Sequence, residues 1–487
     1  MEIKEKSAAA LRKELARKEA DSAASAAKAN ALSARQIIMS VLDEGTFAEI
    51  GAYVRRTSES EEFEGVLCGY GAIDSRLVFI FAQDFYRMKG AFDEVQAKKI
   101  CSLYELAIQN GAPVIGIFNS AGAVLSEGVD ALSAYGKVMT AVSKASGVIP
   151  QIAYIDGICA GSAAVIASMF DIAVSVKDKS SVYVNPPSLL DKKDAGTAAY
   201  AAANGLVSKV FATEAEALGG IRSLINYLPQ NNMEGTVTEL LTDDLNRLVD
   251  VSFVAGGDYN MKNVVAAIAD NGNYMELSEN YAPEAFCAFA SVGSTVCGIV
   301  ANQPKENGGK LTPFAARKIA KFVSMCDSFS IPVVTLVDSE GVAVDEANEN
   351  MPFAAELSKL AFAYTGAATA KVTVVLGKAY GSAFTLMGSK SIGADVAFAL
   401  DSAKISIMSP RSAVAFLCNE RVAKKSREEV EARWAAENAA PVNAAIHGEI
   451  DDIIASAELR QRICAALSML ASKCAGLPER RHANMPL

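Results

Sequence analysis

The chain has 487 residues and a formal net charge of -10. That length exceeds one ordinary core and suits two domains of roughly two hundred residues each, and the acidic balance argues against a nucleic-acid surface, which needs a basic footprint. Hydrophobic residues make up 51% and charged residues 21%, the balance of a globular chain that buries much of its surface. No apolar run reaches the length of a membrane span, and the amino-terminal MEIKEKSAAALRKELARKEA is charged rather than signal-like, so the expected compartment is the cytoplasm.

Nine cysteines are scattered without a CxxC pair, which points away from a disulfide framework or a zinc ribbon and towards small buried residues. Only two histidines occur, His447 and His482. A histidine triad, a histidine general base and a metal cluster are therefore unexpected in the main body. Chemistry must come from backbone groups, carboxylates or a cofactor.

In chain order, residues 1–32 are rich in Ala, Lys and Glu and read as an exposed helical arm. LSARQIIMSVLDEGTFAEI (32–50) has a capped helical rhythm that stops at Gly45 before a strand. VLCGYGAIDSRLVFIFAQD (66–84) alternates around Gly and Asp-Ser as a hairpin does. Helices are then expected over 98–110 and 127–145, strands over 114–118 and 149–155, a helix opening at 161–168 and a strand at 171–176. Strands alternating with helices imply an α/β fold with parallel strands. Residues 188–219 read as Ala-rich and helical, and LPQNN (228–232) as an interdomain linker. The same order of elements recurs from about 258 to 401, and the segment from Ser426 onward supplies carboxy-terminal helices whose charged faces suit packing and solvent better than a site.

The recurrence is visible in the residues. GAPVIGIFNSAG (111–122) returns as SIPVVTLVDSEG (330–341), with Asn119 and Asp338, Ser120 and Ser339, and Gly122 and Gly341 at one offset of 219. Cys159-Ala160-Gly161-Ser162-Ala163 is echoed by Ala379-Tyr380-Gly381-Ser382-Ala383 at an offset of 220, and DEGTFAEI (43–50) by DNGNYMEL (270–277) at 227. About eight extra residues are thus expected in the first copy, most naturally in the polar run RRTSESEE (55–62). The chain is read as an arm (1–32) and two copies of one fold (33–235 and 236–487).

A strand ending in a Gly-Ala turn, beside a helix that opens Gly-Ser-Ala, points backbone N–H groups into one cleft, where a helix N-terminus favours an anion. Two such donors on one carbonyl oxygen form an oxyanion hole. Tight turns alone would also use these glycines, but both segments recur together. A nucleotide-phosphate cradle would use the same physics, yet no GxxxxGK[ST] or GxGxxG occurs at these turns.

Together with GIVANQP, KAYGSAFTLMGSKSIGAD and the terminal RRHANMPL, these motifs resemble the biotin-dependent acyl-CoA carboxyltransferases, and the resemblance covers almost everything after the first thirty residues. It implies two tandem crotonase-like domains and a homo-hexamer in which the first domain of one subunit faces the second of another. Acyl-CoA, the substrate, would bind through Ala121, Gly122, Ala123, Ala160, Gly161 and Ser162. Biotin, on a separate carrier protein, would bind through Gly341, Val342, Ser382, Ala383 and Thr385, the last at a place the family uses to shape the acyl pocket. The catalytic amides would lie around Gly122, Ala123, Gly161 and Ser162 on one side and Gly341, Val342, Gly381, Ser382 and Ala383 on the other, with no metal in this subunit. The cofactor would be its own base, in keeping with the shortage of histidine.

The turns depart from the family's pattern. Its first turn is usually Asp-Ser-Gly-Gly-Ala-Arg; the second glycine of each Gly-Gly pair is here Ser162 or Ser382; Glu340 replaces a proline, Gln96 a histidine, and Gly377 a common arginine. Two further readings follow: a paralogue that has lost catalysis and serves as a structural partner in a heteromeric complex, and a biotin-independent crotonase-type hydrolase or isomerase using Glu127 or Glu340. No Ala-Met-Lys-Met biotinylation sequence occurs. The expected partners are a biotin carboxyl carrier protein and either a biotin carboxylase subunit or a membrane sodium-pump decarboxylase subunit.

Overall fold

The computed structural model describes residues 8–55, 65–417 and 426–474, and the chain divides into two compact units, Met1–Glu234 and Gly235–Leu487. Each is built on one eight-stranded sheet. The first unit contains β1 (Ala48–Ile50), β2 (Val66–Ile73), β3 (Arg76–Gln83), β4 (Val114–Ser120), β5 (Gln151–Ala160), β6 (Ile172–Val176), β7 (Ser181–Tyr183) and β8 (Lys209–Phe211). Its order is β1-β2-β3-β4-β5-β6-β8, with β7 on β5. The β2–β3 hairpin turns through Asp74 and Ser75, both at positive φ (49° and 67°), the sense that matches strand twist. From β3 onward the strands are parallel, because helices such as Glu94–Asn110 and Val129–Ala145 carry the chain back between them. Phe81, Phe118 and Phe170 pack edge to face in the core, with ring centroids 5.6 and 5.5 Å apart.

The second unit contains β9 (Tyr274–Leu277), β10 (Ala285–Val292), β11 (Thr295–Asn302), β12 (Val333–Ser339), β13 (Lys371–Tyr380), β14 (Val396–Leu400), β15 (Lys404–Ser406) and β16 (Asp452–Ile454). Its order, β9-β10-β11-β12-β13-β14-β16 with β15 on β13, is that of the first sheet, strand for strand. Both halves have the α/β architecture of tandem crotonase-like domains. Ile50 and Leu277 end equivalent strands 227 residues apart, whereas Val66 and Ala285 begin the next pair 219 apart. The extra residues of the first copy thus fall between Ile50 and Val66; of the run expected to hold them, residues 56–62 lie outside the described residues, as does RRHANMPL.

Two expectations are refined and two corrected. The arm forms a helix, Ala8–Lys28, but it is fastened to its unit: Ser22 is buried and donates to Asp84 (2.6 Å), and Glu14 pairs with Arg55 (3.0 Å). Residues 188–219 are not continuously helical. Helices Ala198–Ala203 and Glu214–Tyr227 flank β8, because pairing with β6 outweighs local propensity. LPQNN lies just before the division between the units at Glu234 and Gly235, and it is tied to the first unit: Gln230 Nε2 donates to the Leu77 carbonyl (2.5 Å) and Asn231 Nδ2 to that of Gly111 (2.9 Å). The carboxy-terminal segment carries a strand as well as helices, since β16 pairs with β14. Among the described residues no helix is long and apolar enough to cross a membrane.

The duplication extends to a capping aspartate. Asp43 accepts from the amides of Asp74 (3.1 Å) and Ser75 (2.9 Å) and pairs with Arg222 (2.9 Å); Asp270 accepts from those of Gly293 (2.9 Å) and Ser294 (2.8 Å) and pairs with Arg460 (2.6 Å). Arg460 is fully buried and Arg222 is partly exposed. Desolvation opposes ionisation of Asp270, but the Ser294 amide, Arg460, the Gly293 amide and Ser291 outweigh it and hold its pKa below the usual carboxylate value. Arg460→Met, which strands that buried carboxylate, is expected to cost about 3 kcal/mol or more, and Arg222→Met markedly less, in urea titrations at pH 7. Because the folded-state pKa of Asp270 is lowered, its contribution is lost as pH falls below the unfolded carboxylate range, so the Arg460→Met deficit should shrink below about pH 4.

Candidate active site

In each unit two neighbouring parallel strands end in the glycine turns. β4 and β5 run in register from Val114–Gln151 to Phe118–Ile155, then slip, so that Ser120 faces Cys159; β12 and β13 slip identically and Ser339 faces Ala379. The slip frees the side chains of Asn119 and Asp338 to reach across: Asn119 Oδ1 accepts the Ile158 amide (3.2 Å), and Asp338 Oδ1 the Lys378 amide (2.9 Å). Gly157 and Gly377 make room, because a Cβ on either would lie 2.4 or 2.3 Å from the crossing side chain.

Beyond the slip, a serine shapes the turn. Ser120 Oγ lies 3.2 Å from the Gly122 amide, which donates to it; Ser339 Oγ takes the Gly341 amide at the same distance. Gly122 and Gly341 sit at φ 125° and 119°, a backbone that favours glycine. On the neighbouring strand, Gly161 (φ 59°, ψ -126°) and Gly381 (φ 57°, ψ -141°) open the helices Ser162–Ser168 and Ser382–Leu386. Their amides donate to the carbonyls of Tyr183 (2.8 Å) and Ser406 (3.0 Å).

This accounting corrects the expected donor set. The N–H groups of Gly122, Gly161, Gly341 and Gly381 are consumed by the turns they form, and that of Ala121 by the Lys89 carbonyl (3.0 Å). Among the described residues, Ala123, Ser162, Val342 and Ser382 have amides with no protein acceptor, as does Ala383 in the first helical turn. Each turn thus offers a free donor beyond β4 or β12, and the helix start beyond β5 or β13 offers more, Ser162 or Ser382 first among them. Ala160, the last residue of β5, pairs with Tyr183 of β7. Ser162 and Ser382 are not at positive φ, so replacing the usual second glycine costs no backbone strain; the first glycine of each pair carries the special conformation.

The carboxylates at the turns are engaged. Glu340 pairs with Lys378 (2.8 Å) and Lys310 (3.6 Å), and the Lys378 hydrogen bond above all holds its pKa below the ordinary glutamate value. Glu127 accepts from the Glu94 amide (3.2 Å). Desolvation pushes the Asp338 pKa up, against the Lys378 amide and the Tyr259 hydroxyl, which donates at 2.8 Å. Gln96 is buried, with its amide donating to Asp93 (2.7 Å).

Beside the second-unit turn lies a cavity of about 530 Å3. Ser382 and Thr385 line one side, Phe384, Ile405 and Ile407 supply apolar surface, and His447 with Asn443 and Glu449 come from the carboxy-terminal segment. The carboxy-terminal segment therefore lines part of this cavity. The only available signal was that His447 is one of two histidines in the chain.

The chain as a whole has counterparts among known proteins. The chain matches the family model for the carboxyl transferase domain over residues 26–485, and it belongs to that family. It is 35% identical over 484 residues to the propionyl-CoA carboxylase carboxyltransferase subunit of Haloferax mediterranei, covering 94% of this chain and 93% of that one. It is also 35% identical over 483 residues to the methylmalonyl-CoA decarboxylase subunit alpha of Propionigenium modestum, with coverage of 94% and 93%. The structure superposes on the transcarboxylase 12S hexamer core solved with methylmalonyl-coenzyme A and methylmalonic acid bound, at a TM-score of 0.93 and 32% identity over 98% of this chain and 97% of that one.

Gly161→Ala and Gly381→Ala are each expected to destabilise their unit by about 1–3 kcal/mol through the backbone conformation alone, whereas Ser162→Gly should change stability by less than ~1 kcal/mol. Urea midpoints of the purified variants check both.

Proposed function

We propose that the chain moves a carboxyl group between carboxybiotin, borne on a separate carrier protein, and a short-chain acyl-CoA of the propionyl or methylmalonyl type. The observation that carries the reading is the duplicated pair of free amides: Ala123 with Ser162, and Val342 with Ser382. In the first unit they receive the thioester oxygen of acyl-CoA as negative charge builds on it. In the second they receive the ureido oxygen of biotin, and the adjoining cavity suits that ring, with Phe384, Ile405 and Ile407 for its apolar face and N–H donors for its oxygen.

Carboxybiotin supplies the carbon dioxide and, after releasing it, the base for the acyl α-proton. The chain's own part is electrostatic. Donors fixed by strand pairing and a serine hydroxyl need no reorganisation when charge develops, and losing one such donor typically costs about 3 kcal/mol of transition-state stabilisation. Both unspent donors at each turn come from main chain, so Asn119, Ser162 and Ser382 can depart from the usual residues without removing a donor. Glu340 is already balanced by two lysines and adds no unpaired negative charge beside the second site.

The proposed partners are a biotin carboxyl carrier protein and either a biotin carboxylase subunit or a membrane sodium-pump decarboxylase subunit, since relatives of equal similarity carry carboxylase and decarboxylase names. A cytoplasmic homo-hexamer is proposed by analogy with the transcarboxylase 12S hexamer core. Carboxyl transfer from carboxylated biotin carrier to a panel of short acyl-CoAs tests the reading; no transfer to any of them would overturn it. Ser162→Pro and Ser382→Pro each delete one donor at the first helical position, where proline is tolerated. Each should lower kcat about 10²–10³-fold with the circular-dichroism spectrum unchanged.

A further inference from the structure

Three consecutive residues with left-handed backbone support each turn. In the first unit they are Met88, Lys89 and Gly90 (φ 52°, 54° and 63°); in the second, Asn307, Gly308 and Gly309 (φ 50°, 63° and 64°). The carbonyl of the middle residue accepts the amide of Ala121 (3.0 Å) or Glu340 (3.1 Å), two residues before the free donor Ala123 or Val342. The third residue must be glycine in both, because a Cβ there would lie 2.1 or 2.4 Å from the Asn119 or Asp338 carbonyl oxygen.

The first two positions differ. Asn-Gly suits left-handed backbone, whereas Met-Lys is disfavoured there. In the second unit a Cβ on Gly308 would be 2.8 Å from the Glu340 carboxylate, which pairs with Lys310 and Lys378 and would have to move aside. In the first unit the equivalents of Glu340, Lys310 and Lys378 are Ala121, Ala91 and Ile158. The local charge set has been replaced by one cation. Lys89 is exposed, and among the described residues its side chain has no hydrogen-bond or ion-pair partner. A left-handed residue that is neither Gly nor Asn, at a turn whose counterpart uses Gly, motivates a functional reading of its side chain.

We infer that Lys89 is a substrate-binding residue that contacts an anionic oxygen of acyl-CoA, either a coenzyme A phosphate or the free carboxylate of a carboxylated acyl group. The inference rests on the assignment of the first unit to acyl-CoA. Lysine serves as a compact point charge for such oxygens.

Glycine at position 89 removes the side chain and the strain together, so stability and affinity should move in opposite directions. In the full-length protein, Lys89→Gly should raise Tm while weakening binding of CoA thioesters about tenfold in calorimetric titrations, and Lys89→Arg should restore wild-type affinity. Weakening with both propionyl-CoA and methylmalonyl-CoA, but not with propionyl-pantetheine, identifies the phosphate as the anion. Weakening confined to methylmalonyl-CoA identifies the carboxylate. Unchanged affinity of Lys89→Gly for every thioester that the wild type binds overturns the inference, as does weakened binding with a lowered Tm and no rescue by arginine. A wild-type protein that binds no CoA thioester would instead overturn the functional reading beneath it.

Discussion

The site depends on one side chain that crosses a slipped pair of strands. Asn119 and Asp338 stand where β4 and β12 lose register with their neighbours, and their oxygens take up the amides of Ile158 and Lys378. Buried backbone donors need acceptors, and the crossing side chain supplies one while the strand ends diverge. Ser120 or Ser339 then takes the glycine amide two residues on, and the carbonyl of Tyr183 or Ser406 takes the one that opens the helix. The turn satisfies most of its own donors, and those left over include Ala123 with Ser162 in one unit and Val342 with Ser382 in the other.

The same frame is electrically different in its two copies. Beneath the first turn, Asn119 donates to Asp156 (3.2 Å), a buried carboxylate that also takes Lys179 (2.5 Å) and the Tyr154 hydroxyl (3.0 Å). Beneath the second, the acid is Asp338 itself, held by the Tyr259 hydroxyl and an amide with no cation bonded to it. At the rims, Lys89 stands against Lys310, Glu340 and Lys378. The backbone geometry is common to both turns, while the charges around it differ.

Much of the fold was legible because the chain repeats itself. The offset of 219 tied Asn119, Ser120 and Gly122 to their twins before any coordinates, and Gly161 with Gly381 marked the second strand of each pair. Which amides remain free was not legible, since that depends on long-range acceptors: the Lys89 carbonyl for Ala121, and Tyr183 and Ser406 for the two helix-opening glycines. The left-handed runs were hidden for a different reason. Only Gly90 and Gly309 agree between Met-Lys-Gly and Asn-Gly-Gly, and nothing in Met88 or Lys89 announces positive φ. β8 was masked by an alanine-rich stretch, and β16 by the charged helices around it; each exists because β6 or β14 has an edge to fill.

The serine substitutions illustrate why such a site tolerates change in sequence better than one built from side chains. A donor that belongs to the main chain is removed only by proline or by moving the backbone, so selection acts on conformation rather than on the residue that carries the N–H. Conformation in turn is concentrated in a few positions: Gly122 and Gly341 at φ near 120°, Gly161 and Gly381 in a region open to glycine, and Gly90 and Gly309 against a carbonyl. All six are glycine here, while the residues around them have changed. The departures from the family's pattern fall on positions whose backbone is ordinary or whose side-chain charge is locally balanced, which leaves both donor pairs in place.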